Sequence, residues 1–359
     1  MNRLTRTAIT VTAATALTAG LAAAPAAADT YGSATAKAVF GSPSSVSASL
    51  SGSGLLGSTV AGLVQPIADT LTYAINTSVS TAVRGLLNSS GNKADTTTGP
   101  EYYPTGPLAK VALPGLLNID LNGPNGHAWF DQTAGAYKAT SAFGSTALRA
   151  LSLDVADVTS ASASVTCPTS AAPSAAVSTS AISLASGLIN ARLRNGTFEY
   201  STDGTNYAPV RDLHLTTVPG HSDLQIVANG DYLQVKETIG ADRLLAALGL
   251  GGLFSGLPGQ IDTNASNLTL SVTVGPGQTN AGNGTISAWG LEVGVDVTGT
   301  LVVKQLSALG VLGGTATIAI PSGIDSSGHY GNLMDLKLAY AACTVGVYRA
   351  PSRVPPGLI

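Results

Sequence analysis

The chain is short of charge. Only 10% of its 359 residues are Asp, Glu, Lys or Arg, and the formal net charge is −3. Ordinary soluble domains carry about 25%. No basic cluster stands ready to neutralise a phosphate backbone, so nucleic acid is excluded as a partner. Hydration must rest on Ser, Thr, Asn and Gly. A surface that repels its neighbours so weakly eases self-association and adsorption. Scarce charge does not mean disorder, because hydrophobic residues reach 44%.

Histidine is scarce too. His127, His214, His221 and His329 include no pair at the i, i+4 spacing of a helical zinc site. His214 and His221 are separated by a Pro219-Gly220 turn signal, and two ligands without a carboxylate do not make a metal centre. The chain has no P-loop, dinucleotide fingerprint or CxxC pair, so no cofactor is expected. Five phenylalanines and two tryptophans are too few for the aromatic girdles of a membrane barrel. The two cysteines, Cys167 and Cys343, are an even number, and together with export they predict one disulfide.

Export is expected from the first residues. Arg3 and Arg6 precede an uncharged apolar run, Thr7 to Leu21, and then the small residues Ala24-Pro25-Ala26-Ala27-Ala28. This order predicts a bacterial signal peptide over 1–28, cleaved after Ala28. Residues 29–107 read as a Ser/Gly-rich lead-in, in which Ala34 to Val39 and Val46 to Leu50 are candidate short strands, an amphipathic helix and a linker. Residues 108–350 read as a β-rich domain, and 351–359 as a Pro-rich tail without a sorting motif.

The helix is expected over about 66–87. Ile67, Leu71, Ala74, Ile75, Val79, Val83 and Leu86 recur at three- and four-residue steps. Pro66 suits the first helical position, and Asp69 and Arg84 complement the helix dipole. Its polar face (Thr70, Tyr73, Thr77, Ser80, Thr81) has almost no charge, so packing on a sheet is favoured over lying on a membrane.

Beyond the linker, period two dominates. Leu151 to Val155, Ser160 to Val165, Leu268 to Val274, Leu291 to Val297 and Leu336 to Tyr340 alternate apolar or small residues with polar ones. This pattern predicts strands with one buried and one wet face. Asn195-Gly196, Asp203-Gly204, Asn229-Gly230 and Asn283-Gly284 punctuate the runs as hairpin turns. With 42 glycines and 18 prolines, the expected fold is mainly β. It is an antiparallel sandwich or barrel-like domain with one N-terminal amphipathic helix. Pro168 to Ser186 reads as a long surface loop, and Ala241 to Leu248 as a short helix.

Motifs for chemistry are weak. Gly220-His221-Ser222-Asp223-Leu224 begins like a nucleophile elbow but lacks the last glycine. Asp120 to Gly126 and Asp262-Asn264-Ser266 have the oxygens of a calcium loop without its glycine, and read as turns. Tyr200 to Tyr207 resembles an Asp-box hairpin, a structural element in the proteins that carry it. Acidic pairs for glycoside hydrolysis converge only in a fold, where Trp129 and Trp289 are candidates to line a sugar site. No catalytic, cofactor-binding or metal residue is assigned; the site residues are the disulfide pair Cys167 and Cys343.

Two segments carry a resemblance. They are Ser141 to Gly187, including Ser160-Ala-Ser-Ala-Ser-Val-Thr-Cys167, and Gly282-Asn-Gly-Thr-Ile-Ser-Ala-Trp-Gly-Leu-Glu-Val293. They resemble the exported "choice-of-anchor P" surface proteins of high-GC Gram-positive bacteria. The resemblance implies an envelope location and no activity. The expected function is therefore a non-catalytic cell-envelope or secreted protein, an adhesion or surface-coat molecule. Its expected partners are cell-wall or extracellular-matrix components and, through low charge, other copies of itself. Two alternatives stand beside it: an extracellular polysaccharide hydrolase with unrecognised carboxylates, and an envelope β-barrel.

Overall fold

Alternating apolar residues produce strands throughout the computed structural model. It describes residues 31–43, 47–53, 57–87, 93–97, 101–103, 109–113, 117–150, 153–194, 197–213, 224–247, 260–262, 264–304, 315–321 and 333–348. The expected signal peptide and Pro-rich tail, His214, His221, His329, Asn195-Gly196 and Gly220 to Asp223 lie outside the described residues.

The first part of the chain gives β1 (Ser33–Pro43), β2 (Ser49–Ser53), helix α1 (Gly57–Leu87), β3 (Lys93–Asp95), β4 (Tyr102–Tyr103) and β5 (Ala109–Leu113). The middle gives β6 (Leu117–Asn122), β7 (Asn125–Asp131), β8 (Ala136–Phe143), β9 (Ser145–Ala150), β10 (Leu153–Val158) and β11 (Ala161–Pro168). It continues with β12 (Ser174–Thr179), β13 (Ile182–Leu184), β14 (Ile189–Arg194), β15 (Thr197–Ser201) and β16 (Ala208–Pro209). A 3₁₀ turn, Val210–Asp212, leads to the last part. That part holds β17 (Leu224–Asn229), β18 (Tyr232–Ile239), helix α2 (Ala241–Ala247), β19 (Gln260–Ile261), β20 (Asn267–Gly282), β21 (Thr285–Lys304), β22 (Thr315–Ile320) and β23 (Met334–Thr344).

These strands form three antiparallel sheets that do not close into a barrel. The large sheet runs β17-β18-β20-β21-β23-β1-β3, with β19, β22 and β2 joining near the end of β21. The five-stranded sheet runs β12-β11-β8-β7-β4, and the eight-stranded sheet β16-β15-β14-β13-β10-β9-β6-β5. Four lengths of chain cross from the eight-stranded to the five-stranded sheet or back with a bend: β6 into β7, β8 into β9, β10 into β11 and β12 into β13. Gly123 (φ 60°), Gly144, Thr159-Ser160 and Ser180-Ala181 make the bends. Thus Asp120 to Gly126, with its calcium-loop look, is a bend between two strands.

Three local expectations change. The Pro168 to Ser186 stretch is not one loop, because it contains β12 and all of β13. Its Ser/Ala composition hid an alternation of small side chains, which a strand packs as readily as large ones. The helix starts at Gly57, so Pro66 is interior and gives up one backbone bond there. The linker contributes β3 to the large sheet and β4 to the five-stranded one. The lead-in strand β1 pairs along its length with β23 inside the large sheet.

On α1, Ile67, Ala68, Leu71 and Ile75 are buried, while Tyr73 is 73% exposed. The helix lays this stripe against β1, β2 and β22, as expected for a packed helix. The even-numbered residues Leu268 to Val274 of β20 and the odd-numbered Leu291 to Val297 of β21 line one wholly buried apolar face of the large sheet. The opposite, polar face was expected to be wet. In fact Gln234, Ser271, Thr273, Glu292, Asp296 and Asp335 are all buried there. Alternation reports which residues share a face; it does not report whether a second layer covers that face.

Candidate functional site

The buried polar face collects the only unusual chemistry among the described residues. β18, β20, β21 and β23 lie side by side in register, so Gly275 and Lys337 flank Glu292, and Asp335 lies opposite Gly294. Gly275 leaves a gap that the ring of Tyr232 fills: a Cβ there would lie 2.0 Å from that ring. The Tyr232 hydroxyl thereby reaches Glu292 and donates to its Oε2 at 3.2 Å. The Gln278 amide donates to the Tyr232 oxygen in turn.

Trp289 Nε1 donates to the same Glu292 oxygen at 3.2 Å. Strict alternation would put residues 289 and 292 on opposite faces. The pleat reverses beside Gly290 and Ala339, and Ala339 holds φ 53°. Gly290 is required because the neighbouring sheet passes so near: a Cβ would meet the Ser162 nitrogen at 2.8 Å. Lys337 Nζ sits 4.0 Å over the Trp289 ring, and Phe40 stacks on Tyr340 with centroids 4.2 Å apart.

Asp335 completes the cluster. The charge of Glu292 acts on its carboxyl, and its Oδ1 is buried without a hydrogen-bond partner. Burial first, then the charge of Glu292, pushes the Asp335 carboxyl up to about 7, with Lys337 opposing. Burial, then Glu292, also raises the Tyr232 hydroxyl above its ordinary range. Below neutral pH Asp335 therefore keeps its proton.

This pair is closed on itself. Tyr232 is 1% exposed, Glu292 3% and Asp335 8%. Glycoside hydrolysis sets its carboxyls about 5–9.5 Å apart, with sugar or water between them. Here both are buried on adjacent strands of one sheet, and Trp129 lies elsewhere, on β7 of the five-stranded sheet. There it stacks on His127 at 4.2 Å, with Tyr102 edge-on to His127. The two tryptophans do not line one site.

Cys167 on β11 and Cys343 on β23 form a disulfide with Cα atoms 5.9 Å apart. The expected bond is present, and it joins two sheets. Asp203 supports the Asp-box reading of a hairpin. Its carboxylate accepts from Thr205 N and Asn206 N at 2.8 Å and from Ser201 Oγ at 2.9 Å, which holds it well below the usual carboxylate range. Asp262 caps its own turn likewise, accepting from Asn264 N and Ala265 N. Among the described residues no three His, Cys, Asp or Glu side chains gather as a metal site. No described helix is long and apolar enough to cross a membrane.

Sequence reasoning missed Tyr232, Glu292 and Asp335. The available signal was carboxylates inside valine- and leucine-rich alternating runs, where a wet face would ordinarily carry hydroxyls as well as charge. No family model, curated protein or solved structure matches the chain.

Proposed function

We propose that the chain is an exported, non-catalytic protein of the cell envelope or its surroundings, serving adhesion or as a surface coat. The observation that carries this reading is the Cys167–Cys343 bridge between two sheets. Such bonds form and persist in oxidising compartments, outside the cytoplasm. The charged start, apolar run and small residues of the first 28 positions support the same location. The resemblance to envelope proteins agrees. The non-catalytic part draws support from the burial of Glu292, Asp335 and Tyr232, which keeps these groups from a substrate in solution. Cell-wall or matrix components are the partners this reading calls for.

Cell fractionation tests it. Medium, wall, membrane and cytoplasm are probed with an antibody, and each pool is treated with a thiol-reactive label before and after reduction. The expected result is protein in wall or medium whose two cysteines label only after reduction. Cytoplasmic protein with both thiols free would overturn the reading.

A further inference from the structure

Open sheets have edges, and natural proteins protect them with short strands, lysine, proline or a covering element. Most edges here follow that rule. β3 has three residues and carries Lys93, while β4 has only two. β16 is two residues ending in Pro209. β5 carries Lys110, β5 and β2 pack near α1, β19 has only two residues, and the 3₁₀ turn Val210–Asp212 packs against β17.

The exception is β12, which ends the five-stranded sheet. It is six residues long, Ser174-Ala-Ala-Val-Ser-Thr179, without charge or proline. The surroundings are equally neutral, since no charged residue occurs between Asp157 and Arg192. Its orientation is fixed. Thr179 Oγ1 donates to the Gly290 carbonyl at 2.6 Å and accepts from Gly277 N at 3.2 Å, pinning one end to the large sheet.

The ladder shows which backbone groups are free. In an antiparallel pair, alternate residues turn both N–H and C=O toward the same neighbour. Thr169 N bonds the Gly135 carbonyl, so the odd residues of β11 serve β8. Ser180 N bonds the Ser160 carbonyl, so the even residues of β11 meet the even residues of β12. Ala175 and Val177 therefore aim N–H and C=O away from β11, where no described strand pairs with them. Beside them Ser174, Ala176 and Ser178 stand exposed on the outer face, too small to block an approaching strand.

We propose that β12 is a self-pairing edge. Two copies of this chain meet antiparallel about a two-fold axis through Ala176. Ala175 of each copy bonds Val177 of the other, and the two five-stranded sheets become one. A second copy is the occupant that fits, because this stretch presents no charge to repel its own image and an antiparallel edge is complementary to itself. The purpose of such pairing rests on the surface-coat reading, but the pairing itself is measured on purified protein. Failure of either leaves the other standing.

The test is the molar mass of the full chain by sedimentation or light scattering across micromolar concentrations. Wild type is expected to pass from one chain to two. Ala176→Lys sets like charges against each other across the axis, and Ala175→Pro deletes an outward N–H while leaving the ladder to β11 intact. Each is expected to weaken the dimer at least tenfold. Wild type that stays a single chain overturns the proposal, as does a dimer that either folded variant leaves unchanged. Should Ala175→Pro fail to fold, Ala176→Lys alone decides.

Discussion

Glu292 and Asp335 show how register creates chemistry that single residues do not announce. Each is an unremarkable polar position in an alternating strand until β21 and β23 lie side by side. Burial, and then the charge of Glu292 on the neighbouring strand, make ionisation of Asp335 costly, so it keeps its proton up to about pH 7. Unfolded aspartate titrates near pH ~3.9. The folded state therefore binds this proton more tightly. The resulting stabilisation is complete below about pH 4 and is lost as pH rises through about 7. Urea titrations of wild type and Asp335→Asn at pH 5 and pH 8 measure the effect. Wild type is expected to lose roughly 2–3 kcal/mol relative to the variant over that interval. Asparagine stays neutral at both pH values, so its slope should lack this component. Parallel pH dependences would show that Asp335 holds no such proton.

Among the elements, α1 separates periodicity from boundary. Its buried stripe was legible because Ile67, Leu71 and Ile75 recur at helical spacing, and the structure buries all three. Leu71→Ala should cost about 2–5 kcal/mol by calorimetry or urea unfolding, since a fully buried leucine leaves a cavity. The same change at exposed Tyr73 should move stability by less than ~0.5 kcal/mol. Equal losses at both would mean that the helix does not pack by this face. The helix start was misread because a proline is tolerated inside a long helix when packing supplies the remaining energy. The strands β20, β21 and β23 were legible from alternation, and the Asp203, Asn229 and Asn283 turns from their Gly partners at φ 61–72°. β12 and β13 were not, because serine and alanine carry too little polarity contrast to betray a period. The carboxyl pair was illegible for a different reason. Pairing of β21 with β23 is a long-range fact, and a layer over the polar face leaves no local mark.

At the scale of the whole molecule, the sheets are joined by small contacts: Thr179 on the Gly290 carbonyl, Ser141 Oγ on the Lys37 carbonyl at 2.8 Å, and close backbone approach at Gly290. Few charges are available to help, and the described salt bridges are mostly within a sheet or turn, such as Lys138–Asp131 at 2.7 Å. Such partly exposed pairs add about 0–1 kcal/mol each. The disulfide is of another size. It ties β11 to β23 across 176 residues. Closing so long a loop removes unfolded-chain entropy worth about 5 kcal/mol in the chain-entropy model. For a protein of this size that corresponds to a melting shift on the order of 10 °C. Calorimetry of the oxidised chain against Cys167→Ala/Cys343→Ala reads it directly, with alanine chosen because both sulfurs are buried. The double variant should keep the far-ultraviolet signature of the sheets, because their ladders do not pass through the bond, yet melt well below the oxidised chain. Coincident melting would mean that the uncharged interface alone holds the sheets together, and the bridge would then lose its place as the feature that suits this fold to an oxidising exterior.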